Sequence, residues 1–254
     1  MFNKNIAMIF IVMSVAVVVC HTAAAQIVED GLVSYWHLDN LDVEDAVGPN
    51  NGKVIGKPKL VEGKHGMALE FSGQIDSVSF DNEGFPTGNS AMTWSAWFMR
   101  ETGDNNSVQY IVAFGIAGCC GQFFGIGTRN NEQLFMTQWG AHFDVFGPVI
   151  SFDKWHYIAA IYDGDQNDIL YLNGELVKEM ALAEEPNTVN DRKGAIGSNS
   201  EGGENFEGFI DEVGLYDRAL NADEVMQNYE AKLIFAVNPA DKITTTWGNI
   251  KDTK

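Results

Sequence analysis

The stretch WHYIAAIYDGDQNDILYLNGELVKEM, Trp155 to Met180, decides the fold. Trp155 to Tyr162 is an apolar, aromatic-rich run, and Asp163-Gly164-Asp165-Gln166-Asn167 interrupts it with turn formers. Ile169 to Leu172 is a second run. Asn173-Gly174 follows it, a pair that tolerates positive φ at both positions of a two-residue hairpin, and Glu175 to Met180 returns as a third. Three antiparallel strands in a meander are therefore expected here, with no helix.

A meander needs a second layer to cover its apolar face. Met92 to Met99 shows how it is built: Met92, Trp94, Ala96 and Phe98 share one face of a strand, and Thr93, Ser95, Trp97 and Met99 share the other. Large groups on both faces fit a strand packed on a second sheet inside and covered by loops or ligand outside. Gly31 to Leu38 reads as an opening strand, and Gly194 to Gly197 and Gly208 to Tyr216 as two more, separated by the polar loop Ser198 to Asn205. The pattern predicts one short helix: Asn221 caps it, Glu224 completes a capping box, and Leu220 with Val225 forms a hydrophobic staple. That helix is expected as a lid at the sheet edge.

Composition supports an all-β reading. The 26 glycines, 16 Phe and 6 Trp suit a turn-rich, aromatic-packed β domain, since each Gly inside a helix costs about 1 kcal/mol. With 45% hydrophobic and 20% charged residues the 254-residue chain can bury a core. Its formal charge of −19 repels phosphate backbones, so nucleic acid and anionic membranes are excluded as expected partners.

Residues 1–25 read as a signal peptide: Lys4 precedes an apolar run from Ile6 to Cys20, and Ala23-Ala24-Ala25 supplies the small residues for cleavage before Gln26. The run is too short for a spanning helix, which needs about 20 residues, and no later segment is long and apolar enough, so no membrane span is expected after its removal. The mature chain is then expected outside the cytoplasmic membrane, secreted, periplasmic or at the cell surface. It keeps 15 basic residues against 35 acidic ones. Export favours disulfides, and of the three cysteines only Cys119 and Cys120 remain. Neighbouring Cα atoms lie about 3.8 Å apart, below the usual disulfide span of about 4.4–6.8 Å, so a bond between them is a strained vicinal ring. Two thiols or a soft-metal site are the alternatives. Residues 26–232 read as one domain and 233–254 as a Trp-bearing C-terminal extension.

Taken together, Gly31 to Asp39, the Asn51-Gly52 turn, Gly66 to Phe71, Trp94-Ser-Ala-Trp97, Trp155 to Asp163, Tyr171 to Gly174, Phe209 to Tyr216 and Arg218 to Val225 resemble the laminin G-like modules of secreted bacterial proteins. These belong to the concanavalin A-like jelly rolls. The resemblance implies two antiparallel sheets curved over one another, one short C-terminal helix, and ligands at the concave face or the loop rim. It also implies that the first and last strands lie side by side, bringing Asp39 toward Asp211.

No catalytic set stands out. The period-two carboxylates that hydrolases of this fold use are missing, Glu201-Gly-Gly-Glu204 reads as a solvated loop, and Asp211 and Glu212, adjacent in a strand, are expected to point to opposite faces. There is no G-x-S-x-G or H-E-x-x-H, and no nucleotide loop. The chain is therefore expected not to be an enzyme. Asp163, Asp165, Asn167 and Asp168 imitate an EF-hand start but lack its glycine and its final glutamate, so they read as a hairpin turn. The expected cofactor is a structural calcium ion on Asp39, Asp45 and Asp211. The expected ligand site combines Trp139, His142, Phe143, Asp144 and Phe146 with Gln122, because sugars bind through aromatic platforms flanked by polar groups. The reading is an exported, lectin-like binding module for carbohydrate or an extracellular protein. Alternatives are a divergent polysaccharide-acting hydrolase or lyase, and a structural or adhesion subunit without a small ligand.

Overall fold

A computed structural model describes residues 26–101, 107–118, 120–129, 132–140 and 142–231. The expected signal segment, Cys119 and the expected C-terminal extension lie outside the described residues. The first five strands are β1 (Leu32–Trp36), β2 (Gly52–Ile55), β3 (Lys59–Glu62), β4 (Met67–Ser72) and β5 (Ser77–Phe80). They are followed by β6 (Met92–Arg100), β7 (Gln109–Gly115), β8 (Phe123–Arg129), β9 (Gln133–Thr137) and β10 (Asp144–Val149). β11 (His156–Tyr162), β12 (Asn167–Leu172), β13 (Glu175–Ala181), β14 (Gly194–Ile196), β15 (Glu207–Tyr216) and α1 (Ala222–Glu230) complete the described chain.

The strands form two antiparallel sheets. One has the order β13-β12-β11-β6-β15-β4-β3, with β1 beside the second half of β15; the other runs β10-β9-β8-β7-β14-β5-β2. The expected meander is β11-β12-β13, and Asn173 and Gly174 take the positive φ that its tight turn needs. The first and last strands pair, Trp36 opposite Val213 and Tyr35 opposite Gly214.

Between the sheets lies an aromatic core. Trp36 stacks on Trp94 at 6.2 Å and packs on Phe80, while Phe85 and Phe114 meet Trp94 edge-on or tilted. Burying each such side chain contributes about 1.5–3 kcal/mol. The Trp36 indole N–H donates to the Asn50 carbonyl at 2.9 Å, so its burial leaves no orphan donor. β6 divides as expected, with Met92, Trp94, Ala96 and Phe98 inside and Trp97 in a separate cluster outside.

That outer cluster corrects the placement of the helix. α1 has its capping box, Asn221 accepting from the Glu224 N–H, but it lies over the outer face of the central strands and does not sit at the sheet edge. Trp97 on β6, Tyr157 on β11 and Tyr216 on β15 point outward and need cover. Tyr229 stacks on Trp97 at 5.5 Å, and Val225 and Leu220 fill the rest. No helix among the described residues is long and apolar enough to cross a membrane.

Candidate functional site

The outer face of the seven-stranded sheet carries an open cleft of about 240 Å3. Its floor follows from β8. Phe124 and Ile126 point into the core, leaving Phe123, Gly125 and Gly127 outside. A Cβ on Gly125 would sit 2.6 Å from the Tyr110 ring and 2.5 Å from the Phe123 ring, so only glycine lets those rings fold over the strand. Tyr110 meets Phe123 and Phe135 edge-on, both at 5.4 Å, and Phe123 meets Trp139 edge-on at 5.5 Å. The four rings pack as one aromatic cluster, of which Tyr110, Phe135 and Trp139 line the cleft and fully buried Phe123 lies beneath them.

Trp139 closes one wall. It holds a left-handed backbone at φ 66°, unusual for a bulky residue, stabilised by its N–H donating to the Thr137 hydroxyl and its carbonyl accepting from Gly121. Beside it, Gln138 is fully buried and donates to Asp168 at 3.1 Å, which ties the end of β9 to the opposite sheet. Burial, and then the charge of Asp163, hold the Asp168 carboxyl well above the usual carboxylate range.

The polar groups converge on the same rings. Asp144 accepts from the Thr137 hydroxyl at 2.6 Å and pairs with Arg129 at 3.3 Å. The Arg129 guanidinium lies over Phe146 at 4.9 Å and over Phe135 at 5.8 Å. Its Nε–H is buried with no hydrogen-bond partner among the described residues. Glu204 reaches the cleft from the Ser198 to Asn205 loop: its carbonyl accepts from Tyr110 N–H, its φ of 52° turns the chain, and Asn199 donates to its carboxylate at 3.0 Å. Burial raises the pKa of the Tyr110 hydroxyl, Glu204 and Asp144 raise it further, and Arg129 lowers it, so all three charges act on one point.

Of the expected ligand residues, Trp139 and Asp144 line this cleft and Phe146 stands at its margin, 36% exposed. Phe143 does not: it is 3% exposed and packs in the main core, because the irregular chain after Gly140 turns its ring inward. His142 is exposed but does not line the cleft, and neither does half-buried Gln122, whose carbonyl accepts from Ile116 and Val189. Tyr110, Arg129, Phe135 and Thr137 escaped the sequence reading, and Glu204, expected to be solvated in its loop, lines the cleft. The cue for them was a run of strands apolar on both faces. Cys120 is exposed with φ 40°, flanked by Gly118 and Gly121 at positive φ as a tight loop requires; its pairing with Cys119 lies outside the described residues.

A second polar cluster lies on the outer face of the eight-stranded sheet. Register shifts between Asp211 and Gly214, and Glu212 takes φ 51°, a bulge that turns both carboxylates to this face, where opposite faces were expected. Asp211 accepts from His65 N–H at 2.9 Å, and Glu212 lies 3.0 Å from the His37 ring nitrogen. Both are buried, beneath a narrow cavity lined by Ile27, Tyr35, His65, Trp97, Tyr157 and Asn228. Burial, then the Glu212 charge, push the Asp211 carboxyl up to about 9. Asp39 comes into this neighbourhood and accepts from Met67 N–H at 2.7 Å. Asp45 does not join them: its oxygens accept from the N–H groups of Tyr35, Val47, Gly48 and Asn50, folding its own loop. The three expected calcium ligands thus each have hydrogen-bond partners of their own, and no grouping of three acidic, His or Cys side chains suited to a metal is found among the described residues. Asp163 likewise accepts from Asp165 and Asn167 N–H as a hairpin turn.

The architecture defines an antiparallel jelly-roll sandwich with an aromatic cleft on one outer face. Residues 72–226 match the laminin G-type family of the concanavalin A-like lectin/glucanases superfamily, and the chain belongs to that superfamily. No curated protein matches it in sequence. Among solved structures, domain 4 of AbnA, a GH43 extracellular arabinanase from Geobacillus stearothermophilus, in complex with arabinotriose, is similar with a TM-score of 0.63 and 20% identity, over 82% of this chain and all of that one. The binding domain of Paraclostridial Mosquitocidal Protein 1 gives 0.65 and 18% over 78% of this chain and 52% of that one. Trypanosoma rangeli sialidase gives 0.62 and 17% over 80% and 33%. The chain thus spans about half and a third of the latter two. Identities this low carry the fold alone.

Proposed function

We propose that this protein is a non-catalytic carbohydrate-binding module acting outside the cytoplasmic membrane, with its binding site in the cleft of Tyr110, Arg129, Phe135, Thr137, Trp139, Asp144 and Glu204. The observation that carries the reading is the convergence of an aromatic surface with a fixed carboxylate–guanidinium pair in one open cleft. A sugar ring offers C–H faces to aromatic rings and hydroxyl edges to charged acceptors and donors, and this cleft presents both. The arabinotriose bound to domain 4 of AbnA is consistent with a saccharide ligand on this fold. Export rests on the signal-like residues 1–25, and N-terminal sequencing of the mature protein is expected to begin at Gln26.

The test is a glycan array on the mature chain, followed by calorimetry with Trp139→Ala and Trp139→Gly. Both variants are expected to weaken a glycan hit at least tenfold, while Trp139→Gly, which accepts the left-handed backbone without strain, melts close to the parent. Unchanged binding in the well-folded glycine variant would remove the cleft from the reading. A hydrolase is the second reading, because Asp144 and Glu204 line the same cleft. Chromatography of each hit after prolonged incubation separates the two: a module leaves it intact, and an enzyme shortens it.

A further inference from the structure

We infer that the cleft selects neutral saccharides and rejects acidic ones, its Arg129–Asp144 pair gripping two adjacent hydroxyls of a sugar whose apolar face rests on Trp139. The inference rests on the binding reading above and deepens it from the charges in the cleft. Among the described residues, three charged side chains line it: Arg129, Asp144 and Glu204. Arg129 is the one cation among the described lining residues, and it is already engaged with Asp144 at 3.3 Å. Glu204 has no cation opposite it in the lining, so the cleft carries one net negative charge within a strongly acidic protein.

An acidic sugar brings a further negative charge into contact with two carboxylates, and no second cation among the described lining residues receives it. Like charges at this range in a partly desolvated cleft oppose binding strongly. A hydroxyl pair meets no such penalty. One hydroxyl donates to an Asp144 oxygen. Its neighbour accepts from a terminal guanidinium N–H of Arg129, whose side chain is 27% exposed. The guanidinium lies over the cross-strand pair Phe146 and Phe135, which limits its orientations before the sugar arrives. Tyr110 stays neutral, because burial first and the two carboxylates second raise the pKa of its hydroxyl, and it adds a hydrogen-bonding tip without changing the charge balance.

The experiment is calorimetric titration of the mature chain and of Glu204→Gln with matched probes: neutral arabino-, xylo-, galacto- and gluco-oligosaccharides, and oligogalacturonides and glucuronic-acid-bearing xylo-oligosaccharides. Titrations run at low salt and again at about 0.5 M salt, where screening is nearly complete beyond contact distance. The expected result is that a neutral probe binds, its acidic counterpart binds at least tenfold more weakly at low salt, and the gap narrows severalfold with salt and with Glu204→Gln. Acidic probes that bind as well as neutral ones would overturn the inference and leave the binding reading standing, as would a gap that Glu204→Gln does not change. No binding by any probe, in either protein, would overturn the binding reading and the inference with it.

Discussion

Arg100 on β6 is buried to 1%, and Glu132, just before β9, meets it fork to fork: Nε donates to Oε2 at 2.8 Å and Nη2 to Oε1 at 2.9 Å. The guanidinium also donates to Gln109 and to the Glu207 carbonyl, so this single side chain joins the two sheets at the end that carries Arg129 and Phe135. A buried pair of this kind gives little net stability over an apolar replacement, yet breaking it strands a charge. Glu132→Ala is therefore expected to cost about 3–5 kcal/mol in urea unfolding. A loss below about 1 kcal/mol would mean that water reaches Arg100 and that the pair does not fix the β8–β9 hairpin. Binding is expected to weaken along with stability, because Arg129 and Glu132 lie at the same turn.

At the scale of the strand, β8 shows how a sequence can hide a site. Its outward positions Gly125 and Gly127 leave space that Tyr110, Phe123 and Phe135 fill, so the cleft floor depends on missing side chains. Gly125→Ala places a methyl within 3 Å of two rings and is expected to tilt Tyr110 and Phe123 away. Stability should fall by about 1–3 kcal/mol, as overpacking does. Glycan affinity should drop more than tenfold by calorimetry; full affinity in the variant would show that the floor plays no part in binding. The same geometry explains what was legible. β6, β11, β12, β13 and β15 announce themselves through alternation, the Asn173-Gly174 turn and their order, and α1 through its capping box. β7, β8 and β9 are apolar on both faces, so period two is lost where the ligand face begins. Phe143 and Trp139 sit in irregular chain with no period to say which turns inward. Arg129 and Glu204 are distant in sequence and meet only through the order of strands. The Asp211–Glu212 bulge defeated the alternation rule itself, since one left-handed residue turned both acids to one face.

For the molecule as a whole, the acids buried on the outer face of the eight-stranded sheet set the pH response. The Asp211 carboxyl titrates at about 9 in the fold, raised by burial and then by Glu212, against about 3.9 in an unfolded chain. Between those values the unfolded chain releases a proton that the folded chain keeps, so the contribution of Asp211 to stability is complete below about pH 4 and falls as pH rises, by up to about 1.4 kcal/mol per unit. His37 acts in the same direction. Burial alone lowers its pKa, but the hydrogen bond and charge of Glu212 outweigh that and raise it, so its contribution is complete below about 6.5 and lost as pH climbs through the raised value. The net charge of −19 adds general repulsion as the remaining groups ionise. Asp211→Asn retains an oxygen to accept the His65 N–H and removes the charge, so it is expected to melt at a higher temperature than the parent at pH 8–9, with the two curves converging near pH 4. Melting curves in chelator across that range check this, and parallel curves for the two proteins would exclude Asp211 as the source. The same series with calcium separates two ways of offsetting a buried carboxylate. A proton on Asp211 leaves the parent curve at pH 8 unmoved by calcium, whereas an ion held by Asp39 and Asp211 raises it and leaves Asp211→Asn unchanged.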